Sequence, residues 1–443
     1  MAISLPMRFA VPAALFLLLN GNRCTVFAQS GVRDEIEQLK KQVTAQQEQI
    51  DELRRMLEAQ TKLSVKALPG TSAELSAAPS PERVVEAAKA PQPLEIGGVA
   101  IAPTGFVDFS QVWRSKTVSS GLPTNFATIP FNNTVDGHRN QTLSSAANMR
   151  LGMQINTAFS GIRLLGVVET DFLGYQPGNI STSANSYGLR LRLAFADLQT
   201  GKWEFLGGQA WSLLTPGRKG ISALPSGLML TQDLDPNLQS GLVWARTPQA
   251  RAVYRPKESV ALAVSFESGT TYVGGSGGAG MDITKKLTIL TSNFYSNGGG
   301  RYIYGEAPAL IIQGNGAPSL MRSMSTLDGV EYQARPRLKL WAYYGGTYIY
   351  KNVAIDPSNG TPVGYGYAGS PDNQKRSIQE LTGGFTSFFW QDPKYGALQF
   401  SGQYSWLVRH PWFVGSGEPA NANLNMLYLG LRYALPAVNP AGK

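Results

Sequence analysis

Arginines occur singly within segments of alternating apolar and polar residues in the second part of the chain. A guanidinium group is always charged, and its planar fork can hold an oxyanion through two parallel hydrogen bonds. Period-two alternation predicts that seven of them share the polar face of a β-sheet: Arg150, Arg190, Arg192, Arg246, Arg251, Arg335 and Arg432. Such a row could attract carboxylates or phosphate-like anions.

Two carboxylates complicate this interpretation. Glu169 and Asp171 fall on the same face, one segment after Arg150. Pairing across neighbouring strands would neutralise part of the arginine charge. The arginines are therefore either the lining of an anion path or scaffolding of the wall, and the sequence leaves both interpretations open.

Residues suited to catalysis are scarce. The chain has two histidines, His138 and His410, and both fall in segments that we expect to be external loops. Neither lies near a serine and an acid in the pattern of a hydrolase, and no metal-ligand spacing occurs. The glycine run 274–278 is interpreted as a loop, because no strand-then-helix pattern surrounds it. We expect no enzyme, no cofactor and no metal.

The elements that carry the arginines have the pattern of half-apolar strands. In 148–156, 188–196 and 398–409, apolar residues alternate with polar ones. Roughly fourteen to sixteen such segments follow one another, and no internal apolar run approaches the roughly 20 residues of a membrane-spanning helix. The predicted fold class is all-β: a closed transmembrane antiparallel β-barrel, with a strand number that alternation alone leaves at roughly fourteen to sixteen.

The connections between these segments appear in two kinds. Short ones are predicted at 160–161, 255–258 and 392–394. Long polar ones are predicted at 115–145, 173–186, 213–240, 351–376 and 410–421. Alternation of short periplasmic turns with long external loops is typical of outer-membrane barrels.

The segment 213–240 is the candidate for a constriction. It carries Arg218, Lys219, Asp233 and Asp235, whose opposed charges would create a transverse field if the loop folded inward. The alternative is an ordinary external loop. Five tryptophans near strand ends are predicted to form an interfacial belt: Trp203, Trp211, Trp244, Trp390 and Trp406.

The C-terminal strand carries a local signal. From Tyr428 to Leu435 an aromatic residue, a glycine, a second aromatic and an apolar residue alternate. The pattern resembles the signal read by the barrel assembly machinery of the outer membrane. It departs from the usual form because Leu435 replaces a final aromatic and further residues follow.

The N-terminal part precedes the predicted barrel in three pieces. Residues 1–28 have the charge, apolar core and small-residue end of a signal peptide, cut after Ala28, so that Cys24 is lost. Residues 29–63 carry heptads that predict an α-helical coiled-coil stalk, a dimer or a trimer. Residues 64–94 form an Ala/Pro-rich linker. The barrel is assigned to 95–436 and a tail to 437–443.

The net charge of +9 is concentrated in the predicted barrel. Residues 95–443 hold 28 basic and 20 acidic side chains. No basic run is interleaved with aromatics as in single-strand binders, so we expect no nucleic acid partner. Scattered arginines fit a positively lined pore better.

Several segments resemble the DcaP-like trimeric porins and, more distantly, the phosphate-selective porins. The likeness is carried by 148–152, 168–174, 189–197, 207–212 and 246–251 and by the domain order. The resemblance implies a sixteen-stranded barrel, a homotrimer and uptake of small anionic solutes.

The leading hypothesis is therefore a porin in outer-membrane lipid, with its stalk in the periplasm, through which small hydrophilic, anionic solutes diffuse passively. The first alternative is an anchor that tethers the cell wall through the coiled coil. The second is a barrel hydrolase.

Overall fold

The structure is a computed structural model. It describes residues 91–436 apart from 119, 175–187, 216–219, 225–238, 258–259, 270–272 and 304–306. The chain divides into two compact units, residues 1–84 and 85–443, and the described residues all belong to the second. The predicted signal peptide, the stalk, the linker up to residue 90 and the tail lie outside the described residues.

The described residues form β-strands joined by loops. Three short 3-10 helices lie in the loops, at Phe126–Thr128, Asp136–His138 and Gly300–Tyr302. The strands are β1 Leu94–Ile96, β2 Val99–Arg114, β3 Gln141–Ser145, β4 Arg150–Phe159, β5 Ile162–Gly174, β6 Gly188–Thr200, β7 Trp203–Trp211, β8 Arg246–Lys257, β9 Val260–Glu267, β10 Val273–Thr284, β11 Leu287–Asn297, β12 Leu310–Ile312, β13 Pro318–Leu320, β14 Arg322–Arg335, β15 Leu338–Ile349, β16 Asn352–Ile355, β17 Pro362–Tyr365, β18 Lys375–Asp392, β19 Gly396–Pro411 and β20 Ala422–Ala434.

One antiparallel sheet of sixteen strands contains all the long strands. Its path runs β10-β11-β14-β15-β18-β19-β20-β2-β4-β5-β6-β7-β8-β9, and β1 and β3 both pair with β2. The two small hairpins β12-β13 and β16-β17 stand apart. The predicted all-β antiparallel class and strand number are confirmed.

The first and last long strands of the chain are neighbours. β2 pairs with β20 from Phe106 opposite Ala434 to Arg114 opposite Met426. The chain ends are therefore joined in the middle of the sheet, and its two free edges belong to β9 and β10, which follow each other in sequence.

The expected closed barrel is not seen. Between the described residues of β9 and β10 no ladder pairing is present, so the sheet remains open along this seam. Most residues of 274–280 in β10 are glycines. Glycine has no side chain that could pack against a neighbouring strand. The interpretation of 274–278 as a loop was also wrong. These residues form a strand because their backbones pair with β11, and glycines show no period-two pattern.

Alternation of exposure separates two faces of the sheet. In β19, Tyr404 and Trp406 are exposed, whereas Gln403 and Ser405 are buried. In β4, Leu151 is exposed while Arg150 on the other face is half-buried. The sheet thus turns apolar side chains outward and polar side chains inward, which is the pattern expected of strands in lipid.

The connections lie at the two ends of the strands according to their length. Short turns join β4 to β5 (160–161), β6 to β7 (201–202), β10 to β11 (285–286), β14 to β15 (336–337) and β18 to β19 (393–395). The opposite end carries the long connections 115–140, 212–245, 298–321, 350–374 and 412–421. We call these the short-turn end and the long-loop end.

The interior contains apolar clusters that cross it. One cluster joins Leu206 and Trp211 of β7 to Leu290 of β11 and Trp341 of β15, strands that are far apart along the sheet. The sheet must curl for these side chains to meet. In the described part of the chain, no helix has the length and hydropathy that a membrane-spanning helix requires.

Candidate functional site: a row of arginines and an inward loop

The register places several predicted arginines at one height. Arg150 lies opposite Phe106 on one side and opposite Asp171 on the other. Asp171 in turn lies opposite Arg190, and Asp108 lies opposite Arg432. Five arginines of β20, β4, β6 and β8 therefore lie within a few residues of one level of the sheet. We call the following set the arginine row: Arg150, Arg190, Arg192, Arg246 and Arg432.

Two of these arginines form ion pairs with the predicted carboxylates. Arg190 donates two hydrogen bonds to the carboxylate of Asp171, at 2.9 and 2.6 Å. Arg192 donates from Nε to Glu169 at 2.6 Å and from Nη1 to Asp171 at 2.7 Å. Asp171 is fully buried, so its charge depends on both guanidinium groups. The predicted cross-strand pairing of Glu169 and Asp171 involves β6 rather than Arg150.

Arg432 and Arg150 share an aromatic ring. Arg432 donates from Nε to Asp108 at 2.9 Å, and its guanidinium carbon lies 3.8 Å from the centre of the Phe106 ring. The guanidinium carbon of Arg150 lies 5.0 Å from the same ring centre. Cation-π contact holds both cations without removing their charge. Asp108 was missed by sequence reasoning, although it falls on the inward face of β2.

Arg246 is held by an aromatic ring alone. Its guanidinium carbon lies 4.9 Å from the centre of the Trp211 ring, and it forms no salt bridge with any described residue. Trp211 lies opposite Arg246 in the register of β7 and β8. This guanidinium group therefore lies beside the ion pairs of β5 and β6 with no carboxylate partner among the described residues.

Arg251 lies nearer the short-turn end, in a second ionic group. Its Nη2 is 3.7 Å from the Glu204 carboxylate, and Arg255 lies 2.8 Å from the same carboxylate. Both arginines also donate to the loop that follows β7, Arg251 to the carbonyl of Ser222 at 3.4 Å and Arg255 to that of Ile221 at 2.7 Å. Glu204 and Arg255 were missed, although alternation places Glu204 on the inward face.

The last predicted arginine stands apart from the others. Arg335 is exposed and ends β14, opposite Leu338 across the short turn. The structure brings it together with none of the other predicted lining residues.

The loop between β7 and β8 crosses the interior. We call its described segments 220–224 and 239–245 the strap. The amide of Ser240 donates to the carboxylate of Glu380 in β18 at 2.7 Å, and the Gln239 side chain donates to the Glu380 carbonyl at 3.1 Å. Leu242 is buried in the cluster that joins β7 to β15. The strap thus contacts walls on both sides of the sheet.

Small residues seat the strap against the far wall. A methyl group on Gly345 of β15 would overlap the carbonyl oxygen of Ser240. Gly241 has a φ of +79° and approaches the carbonyl oxygen of Thr326. Only glycine allows both this backbone conformation and this approach. The charged loop residues of the prediction, Arg218, Lys219, Asp233 and Asp235, lie outside the described residues.

A second loop, 115–131, lines another part of the interior. Its apolar side chains Leu122, Phe126 and Ile129 pack against inward residues of β18, β19 and β20, including Leu407. Fully buried Arg114 donates to the carbonyls of Gly121 and Leu122, both at 2.8 Å. Sequence reasoning missed this loop, because its apolar residues follow no strand period.

Two cations fix the far part of this second loop. Arg409 donates from Nε to the Ile129 carbonyl at 2.8 Å, and its guanidinium carbon lies 4.7 Å from the centre of the Phe131 ring. Lys116 donates to the Pro130 carbonyl at 2.8 Å. Burial, together with repulsion from Arg409, lowers the pKa of Lys116 from 10.5 to about 8.

The tryptophans divide into two groups. Trp203, Trp390 and Trp406 are exposed on the outer face, as a belt requires. Trp211 is only 7% exposed and lies in the interior, with Trp244 at a ring-centre distance of 4.0 Å. The belt prediction was wrong for these two, because inward loops give them apolar neighbours.

Groups for metal or acid-base chemistry do not gather in the described residues. No cluster of three or more His, Cys, Asp or Glu side chains occurs there. His138 lies in the connection 115–140, as expected. His410 lies near the end of β19 rather than in a loop, with Nδ1 3.5 Å from the Ser377 hydroxyl.

The fold is similar to that of solved outer-membrane channels. The outer-membrane channel DcaP of Acinetobacter baumannii is 16% identical, with a TM-score of 0.55, and the match covers 78% of this chain and 100% of that one. Outer-membrane expressed OmpT of Vibrio cholerae is 11% identical over 77% of this chain and 100% of its own, with a TM-score of 0.40. Salmonella typhi OmpF in complex with daunomycin is 11% identical over 76% and 98%, with a TM-score of 0.36.

The likeness to DcaP confirms, at the level of the fold, the resemblance to DcaP-like porins. No protein-family model matches the chain, and no curated protein matches it by sequence.

Proposed function

We propose that this chain is an outer-membrane porin through which small hydrophilic anions, carboxylates or phosphate-like solutes, diffuse passively. The arginine row is the observation that carries the proposal. Five arginines and three carboxylates (Asp108, Glu169 and Asp171) share its level of the sheet. The excess of cations favours anions at this height of the pore.

The order of charged strands in the sheet explains why protein carboxylates do not neutralise the whole arginine row. Along the sheet, β20, β4, β6 and β8 contribute cations, while β2 and β5 contribute carboxylates. Each carboxylate is held by an adjacent strand, so the outermost cation, Arg246, has no carboxylate partner among the described residues. A solute carboxylate that enters the pore can therefore form hydrogen bonds with the Arg246 guanidinium.

The strap supplies the narrowing that a selective pore needs. It leaves the wall at β7, contacts Arg251 and Arg255 near the short-turn end, and reaches Glu380 on the far wall. We propose that its remaining residues, with Arg218, Lys219, Asp233 and Asp235, complete the constriction.

The assembly of the protein is part of the same proposal. The coiled coil of residues 29–63 would project into the periplasm and hold three copies together. The strand from Tyr428 to Leu435 would engage the barrel assembly machinery. Alternate exposure of Leu427 and Leu431 beside buried Tyr428 and Arg432 supports a strand with one lipid face.

Planar-bilayer recording of the purified full chain under a salt gradient tests the function. Stepwise currents with a reversal potential on the anion-selective side are expected. A silent protein would contradict the porin function and would favour the anchor. A cation-selective channel would contradict the role of the arginine row.

Arg246→Gln sharpens this experiment because Arg246 forms no salt bridge in the described structure. At roughly 8 Å in water a unit charge stabilises an anion by about 0.5 kcal/mol and destabilises a cation by the same amount, so removing it should lower the anion-to-cation permeability ratio about fivefold. Lys286→Gln removes the same charge from an exposed short turn and should leave the ratio unchanged. An equal change in both variants would show that only net charge matters.

A further inference from the structure

Three cations and three aromatic rings form a continuous chain at the long-loop end of the wall. The Arg322 guanidinium carbon lies 5.3 Å from the centre of the Tyr350 ring. The Tyr350 and Tyr348 rings are 4.9 Å apart, and the Tyr348 and Trp412 rings are 5.9 Å apart. Lys351 Nζ lies 4.7 Å from the Trp412 ring centre, and that ring is also contacted by Arg376 at 6.0 Å. We call this set the rim cluster.

Three members of the rim cluster, Arg322, Tyr348 and Tyr350, lie on the outward face of the sheet. Tyr348 is opposite Met324 in the register, and Met324 is exposed on the outward face of β14. Arg322 and Tyr350 are each two residues from this pair, so they share its face. Directly below them, the exposed side chains of Tyr344, Leu381 and Trp406 continue the outward apolar surface of neighbouring strands.

The cations of the rim cluster have no counterion among the residues that the structure describes. Arg322, Lys351 and Arg376 are exposed, and none of them forms a salt bridge with a described residue. Trp412, the ring that Lys351 and Arg376 both contact, is held in place because its indole N–H donates to the Ile349 carbonyl at 3.0 Å. The geometry is that of an anion site: positive groups contact aromatic rings and have no carboxylate partner in the described part of the chain.

We propose that the rim cluster binds the phosphate groups of an anionic lipid in the outer leaflet. Arginine and lysine are suited to phosphate, and tyrosine and tryptophan are enriched where lipid headgroups meet acyl chains. The apolar band below would contact the acyl chains of the same lipid. A free anion would use only the cations, whereas a lipid uses both surfaces. The inference rests on the proposed placement in the outer membrane.

The test compares lipid binding with channel activity. The full chain in neutral detergent is titrated with bisphosphorylated lipid A, with the same lipid after enzymatic removal of both phosphates, and with inorganic phosphate, and binding is followed by native mass spectrometry. Wild-type protein should retain bisphosphorylated lipid and neither of the other two probes. The triple variant R322Q/K351Q/R376Q should lose about tenfold or more in affinity.

A matched control carries the same loss of charge elsewhere. K257Q/K285Q/K286Q removes three exposed cations near the short-turn end and should bind lipid within about twofold of wild type. Equal binding by the rim variant and wild type, or equal binding of the dephosphorylated lipid, would overturn the proposal. Binding of inorganic phosphate at comparable affinity would assign the site to a free anion instead.

Channel recording keeps the two proposals separate. The rim variant should conduct as wild type does, because Arg322 lies on the outward face and none of the three cations belongs to the arginine row or the strap. A silent wild-type channel that still binds lipid would refute the porin function alone. A conducting channel without lipid affinity would refute the rim site alone.

Discussion

Arg192, a member of the arginine row, forms ion pairs with two buried or partly buried carboxylates. Its side chain is 3% exposed and joins Glu169 to Asp171, which has no exposed surface at all. Desolvated charges are stabilised only by good partners, and removal of one partner leaves the other uncompensated. Arg192 therefore mainly stabilises the fold. Its charge affects the electric field of the pore only as part of the net charge of the arginine row and its carboxylates.

Arg192→Ala should accordingly destabilise the protein. We expect a loss of about 3–5 kcal/mol in the free energy of unfolding, measured by urea titration in detergent micelles. Arg139→Ala provides the control, because Arg139 pairs with Asp136 at 3.9 Å on an exposed loop and should cost less than about 1 kcal/mol. Equal losses in the two variants would show that the buried pairs are not decisive.

The same residue explains where sequence reasoning about faces failed. The register shifts between Glu169 and Thr170, which leaves Arg192 as a bulge. Leu189 and Leu191 are 66% and 47% exposed, as predicted, but Leu193 and Phe195 are 4% and 6% exposed and face inward. A bulge adds one residue and reverses the faces beyond it. Period-two alternation predicted the first half of β6 and could not foresee the reversal.

At the scale of elements, the strap depends on its fit to the far wall. Gly345→Ala would push a methyl group into the Ser240 carbonyl and break the contact with Glu380. Overpacking of this kind costs roughly 1–3 kcal/mol, so the strap should leave its seat part of the time. Single-channel traces of the variant should show added subconductance states and more open-channel noise.

Gly207→Ala serves as the matched control for the strap. Gly207 has open space around its α-carbon, so a methyl group meets nothing. Its traces should match those of wild type. Unchanged traces in Gly345→Ala would mean that the strap does not border the conducting path.

The second inward loop predicts a dependence of stability on pH. Lys116 is 4% exposed, and its pKa falls from 10.5 to about 8 because of burial and Arg409. Between these two values the unfolded chain binds more protons than the folded one, so stability rises with pH across the window from about 8 to 10.5. The gain should reach at most about 3 kcal/mol, since one pKa unit corresponds to about 1.4 kcal/mol.

Lys116→Met isolates this contribution. Subtraction of the variant's unfolding free energy from that of wild type, from pH 7 to 10.5, should leave the predicted rise. A flat difference would show that Lys116 is charged or solvated in the folded protein.

The inward loops show which features of the elements could be predicted from the sequence and which could not. Strand existence and loop asymmetry followed from alternation and length, whereas the sequence left open whether the loop around 213–240 folds inward or lies outside. The partners of these loops could not be predicted either. The contact of Ser240 with Glu380 and that of Arg409 with Ile129 join residues far apart in the chain, and no local pattern encodes which wall a loop meets.

At the scale of the whole molecule, the open seam between β9 and β10 would destabilise the protein in a lipid bilayer. Each unpaired backbone group facing hydrocarbon would cost several kcal/mol, so a stable membrane protein must pair or cover these edges. We expect the β10 amides that do not donate to β11 to be protected in lipid nanodiscs. Hydrogen-deuterium exchange should show them as slow as those of β11.

The loop hairpin of β16 and β17 provides the reference for this exchange experiment, because it stands outside the main sheet and should exchange quickly. Fast exchange along β10 in nanodiscs would contradict sealing of the seam and would point to a water-lined opening in the wall. Sequence reasoning predicted a closed ring but gave no strand for the glycine-rich stretch where the ring is open.

The pairing of β2 with β20 sets an order of events for the newly made polypeptide. Asp108 and Arg432, which bond across this pair, lie 324 positions apart. Translation therefore exposes β2 long before its partner exists, and its edge must be kept from other chains meanwhile. A chain halted before residue 422 would carry two unsatisfied edges, on β2 and β19, and would be a substrate for periplasmic chaperones and proteases rather than a smaller pore.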